Sequence, residues 1–168
     1  LLGNVIAGVD RIDPQGTRVR LLVMGPTLEQ VKALLQGRDI PPSVQVLGRV
    51  PQTEVAKFIT TADFSVLLRE PARFANAGFP TKFVESLANG TPVIANLTSD
   101  LGLYLHEGIE GLVCAGHSVD AFVDALNRAL ALTSEQRLLM RKAARQQAET
   151  AFDFRAYADE LSRFLQKL

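Results

Sequence analysis

The residues whose types and order suggest chemistry lie in one run, residues 74–96, which reads FANAGFPTKFVESLANGTPVIAN. Gly78, Phe79, Pro80, Thr81 and Lys82 stand directly before a short helical pattern, and Glu85 falls inside it. Gly78 lets a ligand approach the backbone closely. Pro80 suits a helix start, where its missing N–H is no loss. The amides of Thr81, Lys82 and Phe83 are then expected to be free at a helix N-terminus, an anion site to which Lys82 adds a full charge. About one turn further on, the acceptor-only carboxylate of Glu85 suits two hydroxyl donors of a ribose. Phosphate followed by sugar is the chemistry this order describes. The plain alternative is a Gly-Pro helix entry with Lys82 and Glu85 as a surface ion pair, worth roughly a few tenths of a kcal/mol.

The elements that must position this run alternate along the chain. Leu1, Leu2, Val5, Ile6, Val9 and Ile12 recur at helical spacing, predicting a helix over 1–12, and Pro14 and Gly16 break it. VRLLVMG reads as a buried strand, and TLEQVKALLQG as a helix with Thr27 and Gln30 as a capping box and Gly37 as its stop. Strand and helix then repeat: SVQVLG, PQTEVAKFITTA, DFSVLL, TKFVESLAN, PVIAN, a short helix in SDLGLYLHEG, and the strand GLVCA. Helices over 119–131, 134–149 and 154–168 close the chain, the second capped by Thr133 with Gln136 and the third by Asp153. This alternation predicts one α/β domain over 1–168, a Rossmann-like doubly wound parallel sheet. Ligands of such sheets bind beyond the carboxyl ends of the strands, where the long loop 69–80 belongs.

One strand is missing from that scheme. A helix at the start of the pattern needs a strand before it, and in the 3-2-1-4-5-6 order that strand lies in the middle of the sheet. Either a βα unit begins outside this sequence, or residues 1–12 are not a helix. The opening LLGNVIAGVDRI without Met reads as part of something longer.

Composition narrows the classes. Lys plus Arg and Asp plus Glu number 18 each, so no basic excess supports nucleic-acid binding. One cysteine, Cys114, precludes a disulfide framework within the chain and suits a reducing, cytoplasmic setting, where we expect it as a buried apolar residue. No apolar run approaches the roughly 20 residues of a membrane span. His106 and His117 have no partner at metal-ligand spacing, so no metal site is expected. Neither G-x-G-x-x-G nor a P-loop motif occurs, which disfavours a dehydrogenase or a P-loop enzyme. Asn96-Leu97-Thr98 matches a glycosylation sequon but falls on the expected ligand face, so we discount it.

The run GFPTKFVESLANGTPVIA resembles the donor-site signature of GT-B fold glycosyltransferases, in the large group called family 4 or group 1. LLVMG resembles that family's strand-then-glycine segment. VQVLGRVPQTEVAKFITTADFSVLL resembles its nucleotide-base segment and the strand before the donor loop. LYLHEGIEGLV resembles its acid-Gly-x-x-Gly-Leu-Val ending, so the likeness covers about residues 18–168. It implies the C-terminal half of a retaining, metal-independent enzyme with no cofactor, whose donor substrate is a nucleotide-diphosphate sugar such as a UDP sugar. It further implies an N-terminal acceptor-binding domain as partner, and a cytoplasmic protein held at the inner membrane, if at all, through that domain.

Carried over residue by residue, the resemblance places the backbone of Gly48, Arg49 and Val50 at the nucleotide base. It places Gly78, Phe79, Pro80, Thr81, Lys82 and Phe83 at the diphosphate, and Glu85 on the ribose. The family has two glutamates with seven residues between them. The second matches Glu85, but Ala77 occupies the first position and cannot accept a hydrogen bond. Glu70, in the same loop, is the candidate replacement, and with Lys82 it is the expected catalytic pair. Arg69 and Arg73 are either further phosphate cations or solvated loop charges. A GT-B-fold UDP-sugar 2-epimerase and a non-catalytic nucleotide-sugar module are the alternatives. The apolar stripe Phe154, Tyr157, Leu161, Phe164, Leu165 and Leu168 predicts a last helix that packs either on an N-terminal domain, as the family implies, or on its own domain.

Overall fold

In the computed structural model of the chain, residues 1–166 are described. Helix α1 (Leu2–Ile12) opens the fold, and strands and helices then alternate: β1 (Leu21–Met24), α2 (Leu28–Leu34), β2 (Val44–Gly48), α3 (Gln52–Thr61) and β3 (Ser65–Leu67). There follow α4 (Arg73–Ala77), α5 (Thr81–Ala88), β4 (Val93–Asn96), a 3₁₀ turn (Ser99–Leu103) and β5 (Gly111–Cys114). Helices α6 (Val119–Ala131), α7 (Ser134–Ala151) and α8 (Ala158–Leu165) close the chain, the last preceded by a second 3₁₀ turn (Phe154–Tyr157). The expected capping boxes form at Thr27–Gln30 and Thr133–Gln136.

Every ladder is parallel. The strands form two groups, β1–β2 and β3–β4–β5, and no strand among the described residues joins β1 to β3. The break falls where the missing strand was expected, and residues 2–12 are helical, so the strand rather than the helix is absent. β4 is buried along its whole length. Its Ile94 meets Val5, Val9 and Phe122 on the α1–α6 face, while Val93 and Ala95 meet Phe83, Leu87 and Ala144 on the α5–α7 face. This two-sided burial explains the unbroken apolar run PVIA.

Four local expectations are corrected. Loop 69–80 is not wholly irregular, because α4 forms inside it with Ala75 buried. SDLGLYLHEG does not make an α-helix: only a 3₁₀ turn forms, entered through Ser99 in the left-handed region and left at Tyr104. Helix α7 runs on to Ala151, two residues past the expected end. The last helix is divided, because Asp153 caps a 3₁₀ turn and Tyr157, with ψ near zero, separates it from α8. Lys167 and Leu168 lie outside the described residues.

Candidate functional site

The carboxyl ends of β1, β2 and β3 meet around one cleft. At the end of β1, Gly25 has φ +105°, and at the end of β2, Gly48 has φ +66°. The Gly25 N–H donates to the Gly48 carbonyl at 2.7 Å, which closes the two strand ends into a crook. Nothing lies within 4 Å of where a Cβ would stand on either residue, so the positive φ demands glycine while the space beside the backbone stays open. Gly25, Pro26, Arg49 and Val50 line the cleft on this side, and Lys82 and Glu85 line it from α5.

Helix α5 is held rigidly from behind. Phe83 is wholly buried and stacks edge-on against Phe79 and Phe152, with centroids 6.1 and 6.2 Å away. Tyr104 joins the same cluster, 4.8 Å from Phe152. The Arg145 guanidinium donates to the carbonyl of Ala88, the last residue of α5. One turn earlier on α7, Arg141 donates to the Thr60 and Ala62 carbonyls at the end of α3, both at 2.7 Å. Cations at helix C-termini satisfy orphan carbonyls and favour the dipole. Arginines four residues apart on α7 were the available signal for this brace, but nothing in the sequence alone tells which helices they reach.

The loop before α5 is tied down as firmly. Asn96, 4% exposed, accepts from the Arg69 N–H and donates to the Arg69 carbonyl, both at 2.8 Å. This pair extends the β3–β4 ladder by side chain, and it buries the amide of the sequon. The Arg69 guanidinium donates to the Gly78 carbonyl at 3.0 Å, so Arg69 is a strut of the loop rather than a solvated charge. The Ser99 N–H donates to the Asn76 side chain, which fixes α4 against the 3₁₀ turn.

The expected site residues separate into groups. Arg49, Val50, Lys82 and Glu85 line one cleft, and Gly48 stands at its rim through its bond to Gly25. Pro80 is buried just before α5. Phe79 and Phe83 commit their rings to the aromatic cluster. The expectation of three free amides is corrected to two. The Phe83 N–H donates to the Pro80 carbonyl at 2.9 Å, because the turn that begins at Pro80 closes a 3₁₀-type bond. The Thr81 and Lys82 amides have no carbonyl partner among the described residues. Glu70, Arg73, Ala77 and Gly78 are exposed on the loop and do not line the cleft. Lys82 and Glu85 make no ion pair with each other or with any other described residue, so the plain surface-pair reading fails.

Other reactive groups are structural. Burial pushes the Cys114 thiol up to about 11. Asp13, 3% exposed, accepts from the Arg18 and Val19 amides at 2.6 and 2.8 Å; burial alone would raise its pKa, but these bonds hold the carboxyl below its ordinary value. Among the described residues no group of His, Cys, Asp and Glu side chains could hold a metal ion, and no helix is long and apolar enough to cross a membrane.

Comparison with known proteins agrees with this fold. D-inositol 3-phosphate glycosyltransferase of Corynebacterium glutamicum is 30% identical over 167 residues, 96% of this chain and 38% of that protein. The chain spans well under half the length of the curated relatives it matches. Anabaena HepE in complex with UDP and glucose superposes with a TM-score of 0.73 at 18% identity, over 98% of this chain and 44% of the other. Sucrose-phosphate synthase of Thermosynechococcus elongatus gives 0.76 at 20% identity, over 99% and 41%. The model of the glycosyl transferases group 1 family matches residues 3–147, and with most of its length so matched the chain belongs to that family.

Proposed function

We propose that this chain is the donor-binding half of a glycosyltransferase and that its cleft holds a nucleoside-diphosphate sugar. One observation carries the reading: Lys82 and Glu85, without ion-pair partners among the described residues, line one cleft with Gly25, Pro26, Arg49 and Val50, and the Thr81 and Lys82 amides that begin α5 have no carbonyl partner among those residues. A diphosphate suits the helix start, where the dipole, two N–H donors and an ammonium favour negative charge. A ribose suits Glu85, one turn along, as an acceptor for two hydroxyls. The base fits beside the backbone of Gly48, Arg49 and Val50. The UDP and glucose held by HepE, a protein of the same fold, support this ligand class.

In the transfer, the bond from the anomeric carbon to the diphosphate oxygen breaks, and one to an acceptor oxygen forms. The diphosphate leaves with its charge met by Lys82 and the helix start, which is electrostatic stabilisation of the leaving group. The acceptor and any base that takes its proton belong to an N-terminal domain, and the configuration of the sugar is retained. Glu70 remains the candidate for the donor sugar in place of Ala77, although it stands exposed on the loop outside the cleft. Among the described residues no His or acid cluster around the cleft supports the epimerase reading.

Calorimetric titration of the longer protein with UDP, GDP, uridine and guanosine tests the donor class. One diphosphate is expected to bind well above its nucleoside, and its sugar conjugate is expected to release that diphosphate when acceptor is added. No binding of either diphosphate at millimolar concentration sinks the reading.

A further inference from the structure

β5 is an edge strand: β4 pairs one side of it, and among the described residues no strand pairs the other. Its residues Gly111, Leu112, Val113 and Cys114 carry no charge, and an uncharged apolar edge is a template for addition of another strand. The outward ladder groups of β5 are nevertheless taken. The Glu110 carbonyl faces inward and accepts the Val93 N–H at 3.3 Å, so the alternation of the strand turns Gly111 and Val113 outward. The Gly111 carbonyl accepts the Gly108 N–H at 2.8 Å. The Val113 N–H donates to the Glu107 carboxylate at 2.6 Å, and the Val113 carbonyl accepts from the Arg128 guanidinium at 2.8 Å. Two side chains stand where the backbone of a neighbouring strand would.

The chain builds this arrangement from both sides of β5. Gly108, at φ +78°, turns the chain so that Glu107 lies alongside Gly111. Arg128 comes from the last turn of α6, the helix that follows β5 and packs on it. Its guanidinium also donates to Glu107 and, at 3.1 Å, to Asp124, so one planar fork serves three acceptors. The ion pairs reach solvent, and exposed pairs add little stability. Neither Glu107 nor Arg128 lines the cleft. What the pair does achieve is occupation of the edge.

We propose that Glu107 and Arg128 form an edge guard: they hold the ladder groups of Val113 and so bar a second copy of this chain from adding its own β5 to the sheet. The barred contact has a definite geometry. Two β5 strands meeting antiparallel about a twofold axis at Val113 would exchange both N–H···O bonds of that residue, a self-complementary contact. Side chains that hold the same two groups exclude it. The guard does not depend on the proposed function.

The longer protein carrying Glu107→Ala and Arg128→Ala, compared with its parent by amide exchange and by sedimentation over a concentration series, tests this. Both side chains reach solvent, so the fold should survive their loss. In dilute solution the Val113 amide should exchange about tenfold or more faster in the variant. At higher concentration the variant should dimerise and Val113 should regain its protection, whereas in the parent that protection should not vary with concentration. Faster exchange without dimers at any concentration makes the pair a local brace and overturns the guard. Unchanged exchange overturns it as well, and so do dimers in which Val113 stays unprotected, because their contact lies elsewhere.

Discussion

The two halves of the sheet are made of similar strand–helix units and reach different physical states. Around β4, the helix α5 buries Phe83, Ser86 and Leu87, and α7 covers it from behind. Around β1, the helix α3 carries a comparable apolar face, yet none of its residues is buried. The difference lies in the sheet beneath. α5 rests on β3 and β4, which are paired, whereas α3 lies over the unpaired gap between β1 and β3. A crossover helix is buried by the paired strands beneath it, so a helix over an unpaired gap stays uncovered.

The largest expected effect breaks or upholds that contrast directly. Phe83→Ala removes a wholly buried ring from the aromatic cluster and should cost about 3–5 kcal/mol in urea unfolding. Phe58→Ala, on the half-exposed face of α3, should cost less than about 1 kcal/mol. Equal losses would mean that the two halves are packed alike and that the gap is closed in solution.

Next comes the site on the well-packed half. A hydrogen bond to a charged group contributes about 1.5–3 kcal/mol, so Glu85→Ala should weaken nucleotide binding by roughly tenfold to a hundredfold. Glu85 is exposed and unpaired, so unfolding should barely change. Unaltered affinity removes Glu85 from the ribose. Lys82→Ala should have a smaller effect, because an exposed ion pair is worth at most about 1 kcal/mol, a loss of up to roughly fivefold. The loss should appear with UDP and not with uridine. Equal losses with both ligands would make Lys82 structural.

Much of this was legible because local rules and tertiary context agree. Thr27 and Thr133 cap helices with their own neighbours, and PVIAN is apolar at every position that the two helix layers bury. The missing strand was legible too, since it follows from the order of elements alone. What escaped was decided at long range. Phe83 has a helical first-turn position, but its amide is taken by Pro80. Arg69 looks like a loop cation until Gly78 is folded back onto it. Arg141 and Arg145 read as surface charges of α7, and only the packing of α7 behind α3 and α5 turns them into caps.

The final two helices repeat the contrast on a smaller scale. α7 buries Met140, Ala144 and Ala148, whereas Phe164 and Leu165 of α8 are 60% and 57% exposed. Packing on its own domain is therefore corrected for the described part of α8, whose apolar face has no cover among the described residues. Ending the chain after Asp153 should cost less than about 1 kcal/mol of its stability. The same truncation of the longer protein should loosen the two halves and lower turnover, with less effect on nucleotide affinity. Resistance to cleavage between the halves equal to that of the intact protein would remove α8 from the contact.

The smallest effect concerns the joint between these helices. Asp153 accepts the Arg155 N–H at 2.9 Å and caps the 3₁₀ turn that leads into α8. The Arg155 guanidinium bonded to its carboxylate, with help from that backbone bond, lowers its pKa from 3.8 to about 2. A depressed carboxylate contributes only while ionised. Its contribution is complete above the ordinary value near pH 4 and is lost as the pH falls through about 2. The Arg155 amide resonance should accordingly titrate with a midpoint near pH 2, and the loss should be confined to the turn and α8, since neither buries a residue. Asp153→Ala should abolish that titration and leave the Tm of the whole chain unchanged. A midpoint near pH 4 would show that Arg155 does not hold the carboxylate, and that the turn is set by the chain leaving α7 at Phe152 instead.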